Sequence, residues 1–143
     1  MISAEIREAG IRIGFKLEDV LTGEVGILAH VNQKDGPRVG KYRVNLIDIQ
    51  RVGVSAITRA IKEDDIIIVD EIGPMELNSK PFILAVETAL GSPKDFIGTI
   101  HKRASHYLVN AIKSNPTYRI IEVKQDNREQ LPVVIVRRLE TRP

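Results

Sequence analysis

The chain has 143 residues, 43% of them hydrophobic and 28% charged, with a net charge of only +2, which is the balance of one ordinary globular domain with a real core. The absence of cysteine excludes disulfides, zinc–thiolate sites and thiol nucleophiles. No apolar run approaches the ~18–20 residues that span a bilayer, and the opening "MISAEIREAG" carries acids and no apolar segment, unlike a signal peptide. A cytoplasmic location with no membrane partner is the default reading. Basic residues are spread along the chain, apart from "VRRLETRP" at the end. With three Phe, three Tyr and no Trp to stack on bases, nucleic acid is a disfavoured partner.

In chain order, "IRIGFKLEDV" and "EVGILAHV" read as strands joined by a turn at "LTGE", where Gly23 supplies backbone freedom. "VGKYRVNL" alternates and reads as a short extended segment, and "SAITRAIKED" as a helix with Ser55 at its N-cap. "DIIIVD" suits a strand buried on both faces, as in a parallel sheet. "SKPFILAVETALG" reads as a helix between Ser79 and Gly91, "DFIGTIH" as a second apolar strand, and "SHYLVNAIKSN" as a helix opening on Ser105. "YRIIEV" reads as a third buried strand. "DNREQLPVVIVRRL" reads as a last helix with Asp126 and Glu129 at capping-box spacing and Pro132 bending or shortening it. This order predicts an α/β domain, largely parallel from Asp65 onward and antiparallel before it.

The chemistry concentrates in "IIIVDEIGPMEL". Ligands of open α/β sheets bind beyond the carboxyl ends of the strands. There Asp70 is placed to hold Mg²⁺ through a water, since that ion prefers carboxylate oxygen and keeps several waters. Glu71 is placed to orient or deprotonate a water attacking a γ-phosphate. Charges after a buried strand are also commonly just solvated, and the short motif does not separate the two readings. Thr99 and His101, at the end of the next strand, are candidates for sensing the γ-phosphate or binding water.

Such chemistry needs a phosphate cradle, G-x-x-x-x-G-K-[ST] between a strand and a helix. The nearest match, "GPRVGKY", has three residues between its glycines, Tyr42 where a hydroxyl ligand of Mg²⁺ belongs, and an extended continuation. It is rejected as a Walker A motif, leaving Lys41 an accessory candidate.

Taken together, "AEIREAGIRIGFKL", "RVGKYRVNL", "IIIVDEIGPMEL", "GTIHKRASH" and "DNREQLP" resemble, in order, segments of the small P-loop nucleoside-triphosphatases, the group that includes the cancer-related nucleoside-triphosphatase. The resemblance implies a RecA-like α/β fold that hydrolyses ATP, GTP and other nucleoside triphosphates with Mg²⁺. It maps the nucleotide-binding stretch onto Ile66, Ile67, Ile68, Val69, Asp70, Glu71, Ile72 and Gly73, with Asp70 as the metal position and Glu71 as the catalytic acid. It also implies that Glu76 and Gly40–Tyr42 shape the site.

The resemblance further implies a chain lacking the first strand, Walker A loop and helix, roughly 30–40 residues by ordinary element lengths. The expected consequences are impaired hydrolysis and a gap in the sheet that invites self-association. Two alternatives retain the fold without the chemistry: a non-catalytic interaction domain and a nucleic-acid-associated domain.

Overall fold

The computed structural model describes residues 1–141, so Arg142 and Pro143 of the basic C-terminal run lie outside the described residues. One seven-stranded sheet runs in the order β4-β5-β3-β2-β1-β6-β7. Its strands are β1 (Ile2–Glu8), β2 (Ile11–Glu18), β3 (Val25–His30), β4 (Arg38–Val39), β5 (Tyr42–Val44), β6 (Ile66–Ile72) and β7 (Asp95–Ile100). The helices are α1 (Leu46–Asp48), α2 (Ser55–Glu63), α3 (Lys80–Gly91), α4 (Tyr107–Ser114) and α5 (Leu131–Glu140). The fold class is the α/β one expected, antiparallel through β1–β5 and parallel where β1 meets β6 and β6 meets β7.

Local chemistry explains most element boundaries. Strand β1, absent from the sequence reading, turns into β2 at Ala9–Gly10, where φ is 50° and 78°. Both values are positive, as a tight hairpin turn of matching twist requires. Gly23, at φ 77°, makes the turn expected at "LTGE". That turn is tied to α2 by the buried carboxylate of Asp19, which accepts from both terminal guanidinium nitrogens of Arg59 at 2.6 Å. The paired guanidinium holds the Asp19 carboxyl down at about 2.

Ser79 caps α3 as expected, its hydroxyl accepting from the Phe82 amide at 3.2 Å, with Pro81 in the first turn.

Several expectations are corrected. Ser55 does not open its helix. Helical structure begins at Leu46, where the Asn45 side chain accepts from the Asp48 amide, and runs through a π-helical turn (Ile49–Val54) into α2. The cap of α4 is His106, not Ser105, because the His106 ring nitrogen accepts from the Leu108 amide at 3.1 Å. Helix α5 starts at Leu131 with Pro132 in its first turn, where the missing N–H costs no helical bond. Asp126 and Glu129 lie in the turn before it. "VGKYRVNL" folds as the β4–β5 hairpin rather than one extended piece. "YRIIEV" is not a strand. Residues 118–123 have no ladder partner, and Ile120 and Val123 are exposed.

Strand β6 is not buried on both faces. Ile67 and Val69 are fully buried on the core side, whereas Ile66 and Ile68 are 37% and 45% exposed. Helix α2 packs against β6, and the face carrying Ile66 and Ile68 keeps part of its apolar surface in water. Nor is β6 central, since only β7 lies beyond it. Strand β6 pairs with β7 along most of its length and with β1 through Ile2–Asp70, so the expected gap between strands is not inside the sheet, and the outer side of β7 is an open edge. Among the described residues no helix is long and apolar enough to cross a membrane.

A candidate phosphoryl-transfer site at the end of β6

The buried side chains of Ile67, Val69 and Ile72 anchor β6 from below. Asp70 and Glu71 emerge at its carboxyl end, where the β6–β7 register shifts between Val69, opposite Gly98, and Ile72, opposite Ile100. The two acids diverge to different partners. The Thr99 hydroxyl donates to Asp70 Oδ1 at 2.7 Å, and His101 Nε2 lies 3.0 Å from Glu71 Oε1. The four residues singled out on the two strands therefore form one cluster. Glu71 and His101 are 34% and 50% exposed, so their contact adds little to stability. What the contact does is fix the direction of a carboxylate that has no other hydrogen-bond partner among the described residues.

Behind this cluster the chain turns at Gly73, which is a close-approach glycine. A Cβ there would stand 2.7 Å from Glu71 Oε1 and 2.9 Å from Glu76 Oε2. The two carboxyls thus converge over the space a side chain would fill. Glu76 is only 1% exposed. Its Oε2 accepts from the Gly73 amide at 3.1 Å, while its Oε1 is buried with no partner. Burial, reinforced by the charges of Glu71 and Asp70, pushes the Glu76 carboxyl up to about 7. Proximity to two ionised neighbours and a dry surrounding both favour the protonated form.

Asp70 suits Mg²⁺. It is an exposed carboxylate with one oxygen engaged by a hydroxyl, a hard-oxygen donor set. Among the described residues no group of three or more His, Cys, Asp or Glu converges to hold a metal by itself. An Mg²⁺ ion there would need waters and substrate phosphates to complete its shell.

Asp70, Glu71 and His101 themselves line a cleft of about 450 Å³ that extends to β1 and β2 and whose walls also include Glu76, Met75, Arg12, Phe15 and Val39. Lys41 is not on its wall. It sits on the β4–β5 turn, its ammonium 5.5 Å from the Tyr42 ring.

A family model described as NTPase matches residues 1–136. The chain belongs to the NTPase family. It is similar to the nucleoside-triphosphatase THEP1 of Thermofilum pendens, 44% identical over 140 residues, 97% of this chain and 77% of the relative. It is similar also to the nucleoside-triphosphatase THEP1 of Methanosarcina acetivorans, 42% identical over 136 residues, 95% of this chain and 75% of the relative. The crystal structure of THEP1 from Aquifex aeolicus matches with a TM-score of 0.83 at 30% identity, over 94% of this chain and 78% of that one.

In this NTPase the sequence reading missed the opposite wall of the cleft. Arg12 is held there by the Tyr42 hydroxyl and by Glu5, contacts that join residues far apart in sequence. The only local signal was an Arg in a strand that also carries Lys16 and Glu18, and such a residue does not stand out without its neighbours.

Proposed function

We propose that the cluster Asp70–Glu71–Thr99–His101 hydrolyses the γ-phosphate of nucleoside triphosphates, with broad base tolerance, giving a nucleoside diphosphate and phosphate. The supporting observation is that two adjacent carboxylates at one strand end each take a separate partner from the next strand. One is thereby free for a metal and the other for water. Asp70, steadied by Thr99, would hold Mg²⁺, which when bound neutralises phosphate charge. Glu71, steadied by His101, aligns the attacking water and accepts its proton. As the water oxygen bonds to the γ-phosphorus, the bond to the bridging oxygen breaks and the diphosphate leaves with the electron pair. The backbone of Ile66–Gly73 forms the floor of the nucleotide site.

The reading includes weak turnover by these 143 residues alone. No G-x-x-x-x-G-K-[ST] occurs in the sequence, and carboxylates do not replace the amides and lysine that cradle β- and γ-phosphates. The test is phosphate release from MgATP by the chain, alone and joined to a strand–GxxxxGK[ST]–helix segment. Slow or no release by the chain and restored release by the joined protein are expected. Robust Asp70-dependent hydrolysis by the chain alone overturns the impairment. A folded joined protein that binds MgATP without hydrolysing it overturns the site.

A further inference from the structure

The two edges of the sheet are unlike. At one end stands β4, only Arg38–Val39, with a charge in the strand and Pro37 before it. Brevity, charge and proline are features that keep an edge from pairing with another chain. At the other end stands β7, whose sequence DFIGTI holds no Pro, Lys or Arg and a single acid, Asp95, at its start.

The backbone of β7 shows which groups are open. The Asp95 amide donates to the Asp65 carbonyl at 3.3 Å, so the backbone of Asp95 faces β6. Successive residues of an extended strand turn their N–H and C=O to opposite sides. Phe96, Gly98 and Ile100 therefore turn theirs outward, where none of the described strands lies. Gly98, in the middle of this row, is exposed.

The row is complementary to itself. When two β7 strands run antiparallel about a two-fold axis at Gly98, Gly98 exchanges both backbone bonds with the partner's Gly98, and Phe96 does so with the partner's Ile100. No other register of the two strands pairs every outward residue. It also sets an aromatic beside a β-branched side chain at each Phe96, a stabilising cross-strand pair. The acidic start of each strand, Asp95, comes opposite the partner's His101, so charge is complementary at both ends of the ladder.

We propose that this chain forms a two-fold dimer by antiparallel pairing of β7 with β7 of a second copy, which joins the two sheets into one. The dimer does not depend on the hydrolase reading, since it uses backbone groups of the sheet edge and no nucleotide.

The test combines sedimentation velocity over a concentration series with cross-linking through a single introduced cysteine. The wild-type chain should pass from monomer to dimer as concentration rises. Gly98→Pro removes the central outward N–H and no bond to β6, a place where an edge strand accepts proline, and should weaken the dimer at least tenfold. The chain has no cysteine of its own, so Gly98→Cys reports on the axis directly. Hydrogen-bonded antiparallel neighbours have Cα atoms about 5.5 Å apart, within reach of a disulfide. The closest contact of a Cβ there, 2.7 Å to Phe96 Cε1, is with the far end of a side chain. Under mild oxidation Gly98→Cys should give covalent dimer at least tenfold faster than Val20→Cys, an exposed position on the β2–β3 turn. This comparison carries the test if Gly98→Pro fails to fold. A wild-type chain that stays monomeric up to about 1 mM would overturn the proposal, whether the edge is bare or covered by the chain's own residues 118–123. A dimer that folded Gly98→Pro leaves at full strength, or equal cross-linking of the two cysteine variants, would overturn it too, because each shows that the copies meet elsewhere.

Discussion

Replacing Glu76 by Gln isolates the cost of keeping a carboxyl in the dry space behind Gly73. The carboxyl is pushed from 4.5 up to about 7, mainly by burial and then by Glu71 and Asp70. Its folded-state value is raised, so the folded protein binds more protons than the unfolded chain between those limits. The group's effect therefore falls as pH rises: stability is greatest below 4.5 and declines until pH passes about 7. At about 1.36 kcal/mol per pH unit the whole interval is worth about 3 kcal/mol. Roughly 2 kcal/mol of this falls between pH 5.5 and pH 8, a large share of the ~5–15 kcal/mol that holds a domain together. Glu76→Gln keeps an oxygen for the Gly73 amide and removes the titration. Urea denaturation at intervals from pH 5.5 to pH 8 should show the wild-type chain losing about 2 kcal/mol more than the variant. The three histidines are common to both proteins, so their titration largely cancels in the comparison. Parallel pH profiles for the two proteins would refute the claim that Glu76 sits desolvated against its acidic neighbours.

Two other perturbations test the packing. Asp19→Asn should cost about 3 kcal/mol by leaving the Arg59 guanidinium without its counter-charge. Because the Asp19 carboxyl is held down at about 2 against an ordinary 3.8, its contribution is present above that ordinary value and is lost as pH falls through about 2. Denaturation of both proteins at pH 7 and pH 2.5 should therefore show their difference shrinking in acid. The outer face of β6, with Ile66 and Ile68 exposed beside the open edge of β7, should make the chain associate with itself as concentration rises. Sedimentation velocity should show less association for Ile68→Thr, with melting unchanged within about 0.5 kcal/mol. A strictly monomeric wild-type chain would contradict this.

Sequence sufficed where the deciding interactions are local. The run Ile66–Val69 ends in two acids, and a strand that feeds charge to its carboxyl end needs no distant partner to be recognised. Ser79, with Pro81 two residues on, marks the start of α3 for the same reason: cap and first turn lie within four residues. Sequence failed where tertiary context decides. Tyr118–Val123 has strand-like residues, but a strand is defined by a neighbour's backbone, and none of the described strands pairs with it. Strand β1 is partly buried only at Ile2, Ser3 and Ile6 and reads weakly until its ladder with β2 is known. Both faces of β6 are equally apolar in sequence, so only packing shows that one of them stays partly in water. The cluster Asp70–Thr99 and Glu71–His101 was legible because parallel neighbours bring equivalent strand ends together. The Arg12 wall was not, since it depends on Tyr42 arriving from another hairpin.

The central claim is that Glu71 accepts the proton of the attacking water while other groups hold the nucleotide. The most direct measurement is single-turnover hydrolysis and nucleotide affinity for Glu71→Gln, made in the protein joined to a strand–GxxxxGK[ST]–helix segment. The account predicts a fall in rate of about 10²–10⁴-fold, the usual worth of a positioned base, with the dissociation constant of MgATP changed less than about threefold, since uniform binding is untouched. Unchanged turnover in the Gln variant, or a loss that appears only as weaker MgATP binding, would contradict it.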